Sequence, residues 1–504
     1  PLLLLRSISV LVALIVVLCA YQYRRLSYWT RLNVPQLPAT FPFGNFESPI
    51  NRKTGIAVAF KQFYEEVRRR GWRYGGIVSL TSPNLVIVDP EIIKAILAKD
   101  FQHFVDRGFL NNAKADPLTG HLLALEGTKW RNLRMKLTPT FTSGKMRMMF
   151  NTVVDCSKPM EKVLDTAASS SEPLEIKNLF ARFTVDVIGS CAFGLDCNSF
   201  KDDDGEFKRY GMKALRRSTR DTLAFIFLAN FPKLGELLGI KTMSRDVENF
   251  FLKVVDDTIR LRKDGGFERK DFMQLLMELL KQEEGGKAEG EGGLTKLELA
   301  AQAFIFFIAG FETSSSTANF CMLELARNQD VQDKAREEIR EVLGRYNGEV
   351  TYEAIQEMKY LGQVVDETLR LYPPLSFLNR KCTVDYKIPD SDLEIKKGTR
   401  ILISTFGLQR DPEYFPNPER FDPDRFSEEN RKNIVPYTYM PFGEGPRICI
   451  GMRFGLMQTK IGLIALLKDY KYKLNPKTQI PFVLEANTAL LSNSGGTWLD
   501  VEKV

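Results

Sequence analysis

Histidine is nearly absent. His103 and His121 are the only two in 504 residues, so a metal centre built on imidazoles has few ligands to draw on. Cysteine is sparse too. None of the seven stands at zinc-site spacing, Cys191 and Cys197 being the closest pair, and an odd total makes no disulfide framework, which favours a reducing compartment. A strong charge of either sign is also missing. The 70 basic and 63 acidic residues leave a formal +7, too mild for a nucleic-acid footprint yet compatible with an acidic protein partner or an anionic membrane surface. No internal repeat and no mid-chain linker divides the chain, although 504 residues at 44% hydrophobic content could bury a large core.

What stands at the start is a long apolar run. Residues 2–20, LLLLRSISVLVALIVVLCA, have roughly membrane-spanning length, with Arg6 near the outer end. Arg24, Arg25 and Arg31 come after that run instead of before it, the order of an uncleaved anchor; the alternative is a removed targeting peptide. The positive-inside tendency then puts everything downstream in the cytosol. Three parts result: an anchor over 1–23, a basic and Pro-rich hinge over 24–48 that fixes the angle of the anchor, and a large globular body over 49–504.

Within the body, Gly76 to Pro90 reads as two short strands around a turn at Ser82-Pro83-Asn84, with Asp89 capping a helix that starts at Pro90. Phe104 to Gly127 is a long loop with apolar teeth, among them Phe109 and Leu110. Residues 221–243 are unusually apolar between charged helices, and a solvated connector lies between 282 and 293. Thr295 and Glu298 form a capping box that opens the longest helical pattern, to about Asn328 and roughly 50 Å long. Phe306, Ala309, Thr313 and Thr317 share one face of it. Glu312 and Thr313 are costly in an apolar helix, and Thr313 can take over a backbone carbonyl to open a notch beside Gly310. Further on, Glu367 and Arg370 sit one turn apart in VVDETLRLYPP, flanked by residues that imply burial. The stretches LSFLNRKCTVDYKIP and GTRILIST read as strands that can point Ser376, Phe377 and Leu378 into a pocket, and the last turn, NTALLSNSGG, contains Leu490.

The chain is organised around Cys449 in PFGEGPRICIG, directly before the apolar periodic segment MRFGLMQTKIGLIALL. A thiolate ahead of a helix is stabilised by unpaired backbone N–H groups, Gly443 and Gly445 allow tight turns, Gly451 allows close approach to a flat group, and Arg447 adds a cation. A buried cysteine acting as a small hydrophobe is the plain alternative. Phe442, Gly445, Arg447, Cys449 and Gly451 together reproduce the signature Phe-x-x-Gly-x-Arg-x-Cys-x-Gly, so the chain resembles the cytochrome P-450 monooxygenases. The resemblance extends through AGFETS, the Glu-x-x-Arg pair and Trp130-x-x-x-Arg134, in order. KLTPTFTSGKM, GMRF and FVDRG are similar to the animal detoxifying branch and its insect family 6.

That resemblance implies a mainly helical fold around haem b with small β-sheets, and residues 49–504 as a haem-thiolate catalytic domain. It implies Cys449 as axial iron ligand; Phe442, Gly445, Arg447, Gly451, Ala309 and Gly310 around the haem; and Trp130, Arg134 and Arg380 at its propionates. Glu312 and Thr313 would manage water and protons at the dioxygen site, and Glu367, Arg370 and Arg420 would form a structural network. Phe109, Leu110, Phe306, Ala309, Phe377, Leu378 and Leu490 would line the substrate pocket. The implied partners are a flavin reductase drawing on NADPH, cytochrome b5, a small apolar substrate such as a plant toxin or insecticide, and the endoplasmic reticulum membrane, with no nucleic acid. The thiolate would push electron density onto the iron and favour O–O cleavage. Rival readings are a narrow-specificity lipid or hormone hydroxylase, a haem-thiolate isomerase or dehydratase, and a membrane-tethered interaction protein with an inert cysteine.

Overall fold

The computed structural model describes residues 2–504 except 49–53, 81, 203, 217, 267–268, 270, 285–293, 487 and 489. The connector expected between 282 and 293 lies almost wholly outside them. The body is mainly helical, with small sheets at its margins. Its axis is the helix Lys296–Arg327, opened by the expected capping box: Thr295 Oγ1 accepts from Glu298 N at 3.2 Å and Glu298 Oε2 from Thr295 N at 3.0 Å. This helix is long and apolar enough to cross a membrane, but it is buried on nearly all sides, as a core helix must be when no face of it is polar. The helices Ile176–Ile188, Lys359–Leu371 and Met452–Leu467 pack against it.

A four-stranded sheet runs in the order Tyr74–Ser79, Ser82–Ile87, Arg400–Ile403, Leu378–Lys381, with the middle pair parallel. The first hairpin reverses at Leu80, whose φ is +52°, and Ser79 pairs with Ser82. The turn is thus two residues earlier than Ser82-Pro83-Asn84. Pro83 is tolerated inside its strand because the third strand starts pairing only at Asn84, so no ladder donor is missed. Asp89 Oδ1 accepts from Glu91 N and Ile92 N, capping Pro90–Lys94 as expected.

The apolar helix at the N-terminus is Leu2–Leu26 and therefore runs past residue 23. Its C-terminal end and the residues after it are packed onto the sheet. Gln22 Nε2 donates to Pro42 O (2.6 Å) and Leu80 O (2.7 Å), and the buried Trp29 donates from Nε1 to Ile77 O (3.1 Å). Gly76 is needed for this: a Cβ there would lie 2.3 Å from the Trp29 ring. These contacts dock the stretch 24–48 against the sheet.

Glu367 and Arg370 have side chains with 0% exposure, joined by Nε to Oε2 at 2.7 Å and Nη2 to Oε1 at 2.8 Å. The third member differs from expectation. Arg420 is exposed and offers Arg370 only its carbonyl, at 3.4 Å, while the guanidinium facing Glu367 Oε1 at 3.4 Å belongs to Arg425. The Pro-x-Arg-Phe pattern occurs twice in PERFDPDRF, and the second copy forms the turn Pro423–Phe426 against the Glu367 helix. Thermal melts of point variants separate the two. Arg370→Ala should cost about 3–5 kcal/mol because it strands a buried carboxylate. Arg425→Ala should cost about 1–2 kcal/mol, and Arg420→Ala no more than about 0.5 kcal/mol.

Candidate active site

The cysteine loop, the middle of the long helix, the Trp130 helix Gly127–Leu137 and the strand Leu378–Lys381 enclose one cavity of about 1570 Å³. Ordinary small-molecule sites occupy roughly 300–1,000 Å³. This one has room for two guests.

On the cysteine side, Gly443 and Gly445 have φ of +73° and +71°. Gly445 has no room for any side chain, since a Cβ there would stand 1.9 Å from Leu97 O. It lies behind the cavity wall, whereas Phe442, Arg447, Cys449 and Gly451 line it. Gly451 meets no crowding from the protein: a Cβ would approach only the Phe141 ring, at 3.9 Å, so the space its bareness leaves belongs to the cavity. Cys449, whose N–H donates to Phe442 O at 2.9 Å, lies deep in the fold but turns to the open cavity, so it is enclosed and yet accessible. Burial raises its thiol pKa, outweighing a hydrogen bond from Gly451 N–H and the charges of Arg107 and Arg134. A coordinated metal ion reverses that balance, because a ligating thiol is deprotonated outright.

Arg134, Arg380 and Arg447 all reach this cavity, and so does Arg107, which the sequence reading passed over. Arg134 Nη2 donates to Ile448 O (2.8 Å), Arg107 Nη2 to Arg447 O, and Arg447 to the carbonyls of Val105 and Leu125 (2.9 Å each). The Arg447 guanidinium also lies 3.8 Å from the Trp130 ring centroid. Arg107 Nε and Arg380 Nε are buried with no hydrogen-bond partner. Asp106 stands 3.9 Å from Arg447, and Glu126 acts on it from farther away. Burial, with like charge beside it, brings Arg107 down to about 10 and Arg447 down to about 9, and lowers Arg380 well below its ordinary value. Such a cluster of buried donors suits a dianion. A flat group with two carboxylates satisfies the orphaned donors, and haem is such a group.

The long helix supplies the wall with Phe306, Ala309, Gly310, Thr313 and Thr317. Thr313 Oγ1 donates to Ala309 O at 2.7 Å, making the expected notch. Gly310 has a further reason to be bare, since a Cβ would sit 2.4 Å from Ile188 Cδ1, and its carbonyl accepts from Gln458 Nε2 at 2.7 Å. Glu312 differs from expectation. Neighbours on a helix point about 100° apart, so with Thr313 in the wall Glu312 turns away, is buried, and pairs with Lys177 Nζ at 2.9 Å. Phe109, Leu110, Phe377, Leu378 and Leu490 line the cavity; Ser376 is buried outside it, because alternate residues of an extended segment face opposite ways.

The family model for Cytochrome P450 matches residues 54–499. The chain belongs to the cytochrome P450 family. It is 42% identical over 503 residues to Cytochrome P450 6a2 of Drosophila melanogaster, covering 99% of each chain. It is 44% identical over 504 residues to Probable cytochrome P450 6a23 of the same fly, covering 100% of this chain and 99% of the relative. Cytochrome P450 6a9 is 41% identical over 502 residues, covering 98% and 99%. The protein is therefore a cytochrome P450 monooxygenase with the family's haem cofactor, taking electrons from NADPH through a reductase partner.

His121 is a second residue whose place the P450 signature does not announce. It lines the cavity, held by Gln302, which accepts from Leu122 N (2.7 Å) and donates to Gly120 O (3.1 Å). Its Nδ1 is buried without a partner, and burial pushes its pKa down to about 4. The unfolded imidazole titrates near ~6.5, so between those values the unfolded chain binds more protons and stability falls as pH drops. Taking the pH from 7 to 5 should cost up to about 2 kcal/mol, less whatever cavity water screens, and His121→Phe should remove that part of the pH dependence in melts. Separately, Gly445→Ala should abolish haem loading through its clash with Leu97, while Gly443→Ala costs only about 1–2 kcal/mol of backbone strain and still loads. The reduced carbon monoxide spectrum checks both.

Proposed function

We propose that the protein is a microsomal monooxygenase that inserts one oxygen atom of O2 into small, mainly apolar substrates, plant toxins and insecticides among them. One observation carries this reading: a cysteine thiol, a threonine-opened helix notch and a buried guanidinium cluster all face the same apolar cavity. Haem would be held by Cys449 at the iron and by Arg107, Arg134, Arg380 and Arg447 at its carboxylates, with Trp130 beside Arg447. When bound, it supplies a thiolate-ligated iron centre at which dioxygen is reduced.

The chain's own residues do the rest. Thr313 Oγ1 donates a hydrogen bond to Ala309 O, which leaves its oxygen lone pairs able to hold a proton donor in the cavity. Glu312 lies behind it, linked through Lys177 Nζ to Ser492 Oγ at 2.7 Å. The stacked rings of Phe141 and Phe306, 5.4 Å apart, help keep bulk water out. Substrate breadth is supported by a pocket built partly from the irregular 104–127 loop and the turn at Leu490.

Membrane attachment rests on the apolar window Arg6–Leu26. A second contact is proposed at the helices Thr219–Asn230 and Pro232–Leu237, where Leu223, Phe231, Leu234, Leu237 and Leu238 are exposed. We assign the anchor to residues 1–23 and catalysis to 49–504, in the endoplasmic reticulum. Lys129 and Arg131, exposed on the outer side of the Trp130 helix, suit an acidic reductase or cytochrome b5. Cys449→Ser should lose the strongly red-shifted carbon monoxide band and turnover together; survival of the band refutes the ligand. Thr313→Ala should keep haem and substrate binding while product formed per NADPH falls several-fold, and an unchanged ratio rules its role out.

A further inference from the structure

Two adjacent arginines followed, after one residue, by a hydroxyl occur twice in the chain, at Arg24-Arg25-Leu26-Ser27 and at Arg216-Arg217-Ser218-Thr219. Fixed cations ahead of an alcohol suit the carboxylate-lined groove of an arginine-directed protein kinase. A pattern this short arises readily by chance, so the surroundings of each hydroxyl decide. Ser27 is held in place. Its Oγ stands 3.3 Å from the carbonyls of both Tyr23 and Arg24, and its neighbours Leu26 and Trp29 are buried.

Thr219 is the opposite case. It is exposed, and its hydroxyl has no hydrogen bond among the described residues. It opens the helix Thr219–Asn230, at a position whose N–H has no intrahelical partner to lose. Ahead of it, Arg216 (φ −86°, ψ 119°) and Ser218 (φ −68°, ψ 164°) have the extended backbone that a peptide takes in a recognition groove. Arg216 is exposed, and its ion pair with Glu485 is long, at 3.7 Å. Ser218 is exposed too but committed: its Oγ donates to Asp221 Oδ2 at 2.6 Å and accepts from Asp221 N at 3.2 Å, capping the helix. Of the hydroxyls near the two arginine pairs, only that of Thr219 is both exposed and uncommitted.

Thr219 also stands beside apolar surface. It lies one turn from Leu223 and so shares a helix face with it, and Leu223 is 45% exposed. We propose that Thr219 is the acceptor of an arginine-directed serine/threonine kinase, and that its phosphate releases the helices Thr219–Asn230 and Pro232–Leu237 from an anionic membrane. The release rests on the membrane contact proposed above; the acceptor assignment does not. In the transfer, Thr219 Oγ1 attacks the γ-phosphorus of ATP. The new O–P bond forms as the bond to the bridging oxygen breaks, ADP leaves with that electron pair, and the hydroxyl proton passes to a carboxylate of the kinase. The phosphate carries a charge of about −1.5 to −2. It offsets the arginines that an anionic bilayer attracts, and it sets a dianion one turn from Leu223, where burial among headgroups is costly.

The test treats the haem-loaded full chain, in detergent, with ATP and the catalytic subunit of cyclic-AMP-dependent protein kinase as the probe. Peptide mapping should place one phosphate on Thr219. Thr219→Val should abolish labelling, Ser218→Ala should keep it, and Arg216→Gln should slow it about tenfold or more. A phosphate on Ser218 or Ser27 in its place, no phosphate at all, or labelling indifferent to Arg216 overturns the acceptor. Both forms are then moved into bilayer discs containing phosphatidylserine, and hydrogen exchange reads the contact. Amides of 223–238 should exchange at least about fivefold faster in the phosphorylated chain, the factor for one neutralised arginine at an anionic surface. Equal exchange of the two forms overturns the release. If the unmodified chain exchanges as fast in discs as in detergent, the membrane contact itself fails and the release with it, while mapping still decides the acceptor. If Thr219→Val loses the red-shifted carbon monoxide band, mapping of the unchanged protein decides alone.

Discussion

Four guanidinium groups reach one cavity, with Asp106 3.9 Å from Arg447 and Glu126 more distant, and they are the constraint on which the rest of this structure turns. Burying cations without counter-charges is costly, and the fold uses backbone carbonyls of Val105, Leu125 and Ile448 to hold them in place. The Val105 and Leu125 carbonyls are free to act as acceptors because the loop around residues 104–127 is irregular, and the Ile448 carbonyl belongs to the cysteine loop. An anionic cofactor would offset the cost of these buried cations, so its binding would contribute to the stability of the native state.

The same coupling reaches the opposite wall through the core. Gln458, on the helix just after the cysteine, donates to the carbonyl of Gly310, and Gly310 must be bare to accommodate Ile188. The thiol loop and the threonine notch are therefore positioned by a shared contact, not by two independent packings. The Gln458 amide nitrogen and the Gly310 carbonyl satisfy one another, while Gln458 Oε1 is buried without a partner.

How much of this was legible in the sequence depended on the range of the interaction. The Thr295 capping box, the Asp89 cap and the Glu367–Arg370 pair are local, set by residues within a few positions, and each stands in the structure as read. The pocket face of Phe306, Ala309 and Thr313 came from helical period alone. Arg425 in place of Arg420 could not be chosen from a repeated motif, because only the packing of a distant turn decides which copy meets Glu367. Glu312 was read by motif when its direction was fixed by the Thr313 beside it. Arg107 was hidden for another reason: a single arginine in an irregular loop has no periodicity, and its unpartnered Nε is visible only once the loop is folded over the cysteine. Its one signal was a lone cation among apolar teeth.

The docking of Trp29 and Gln22 onto the sheet has a consequence for motion. A tether that leaves its cargo free to swing lets it sample every tilt, whereas a helix clamped to its cargo passes its own orientation on. With that helix in a bilayer, as proposed, the body would turn about the membrane normal but not tumble end over end. Encounters with anything else confined to the same bilayer would become collisions in two dimensions between surfaces at fixed height, governed by lateral diffusion and one rotation instead of a three-dimensional search.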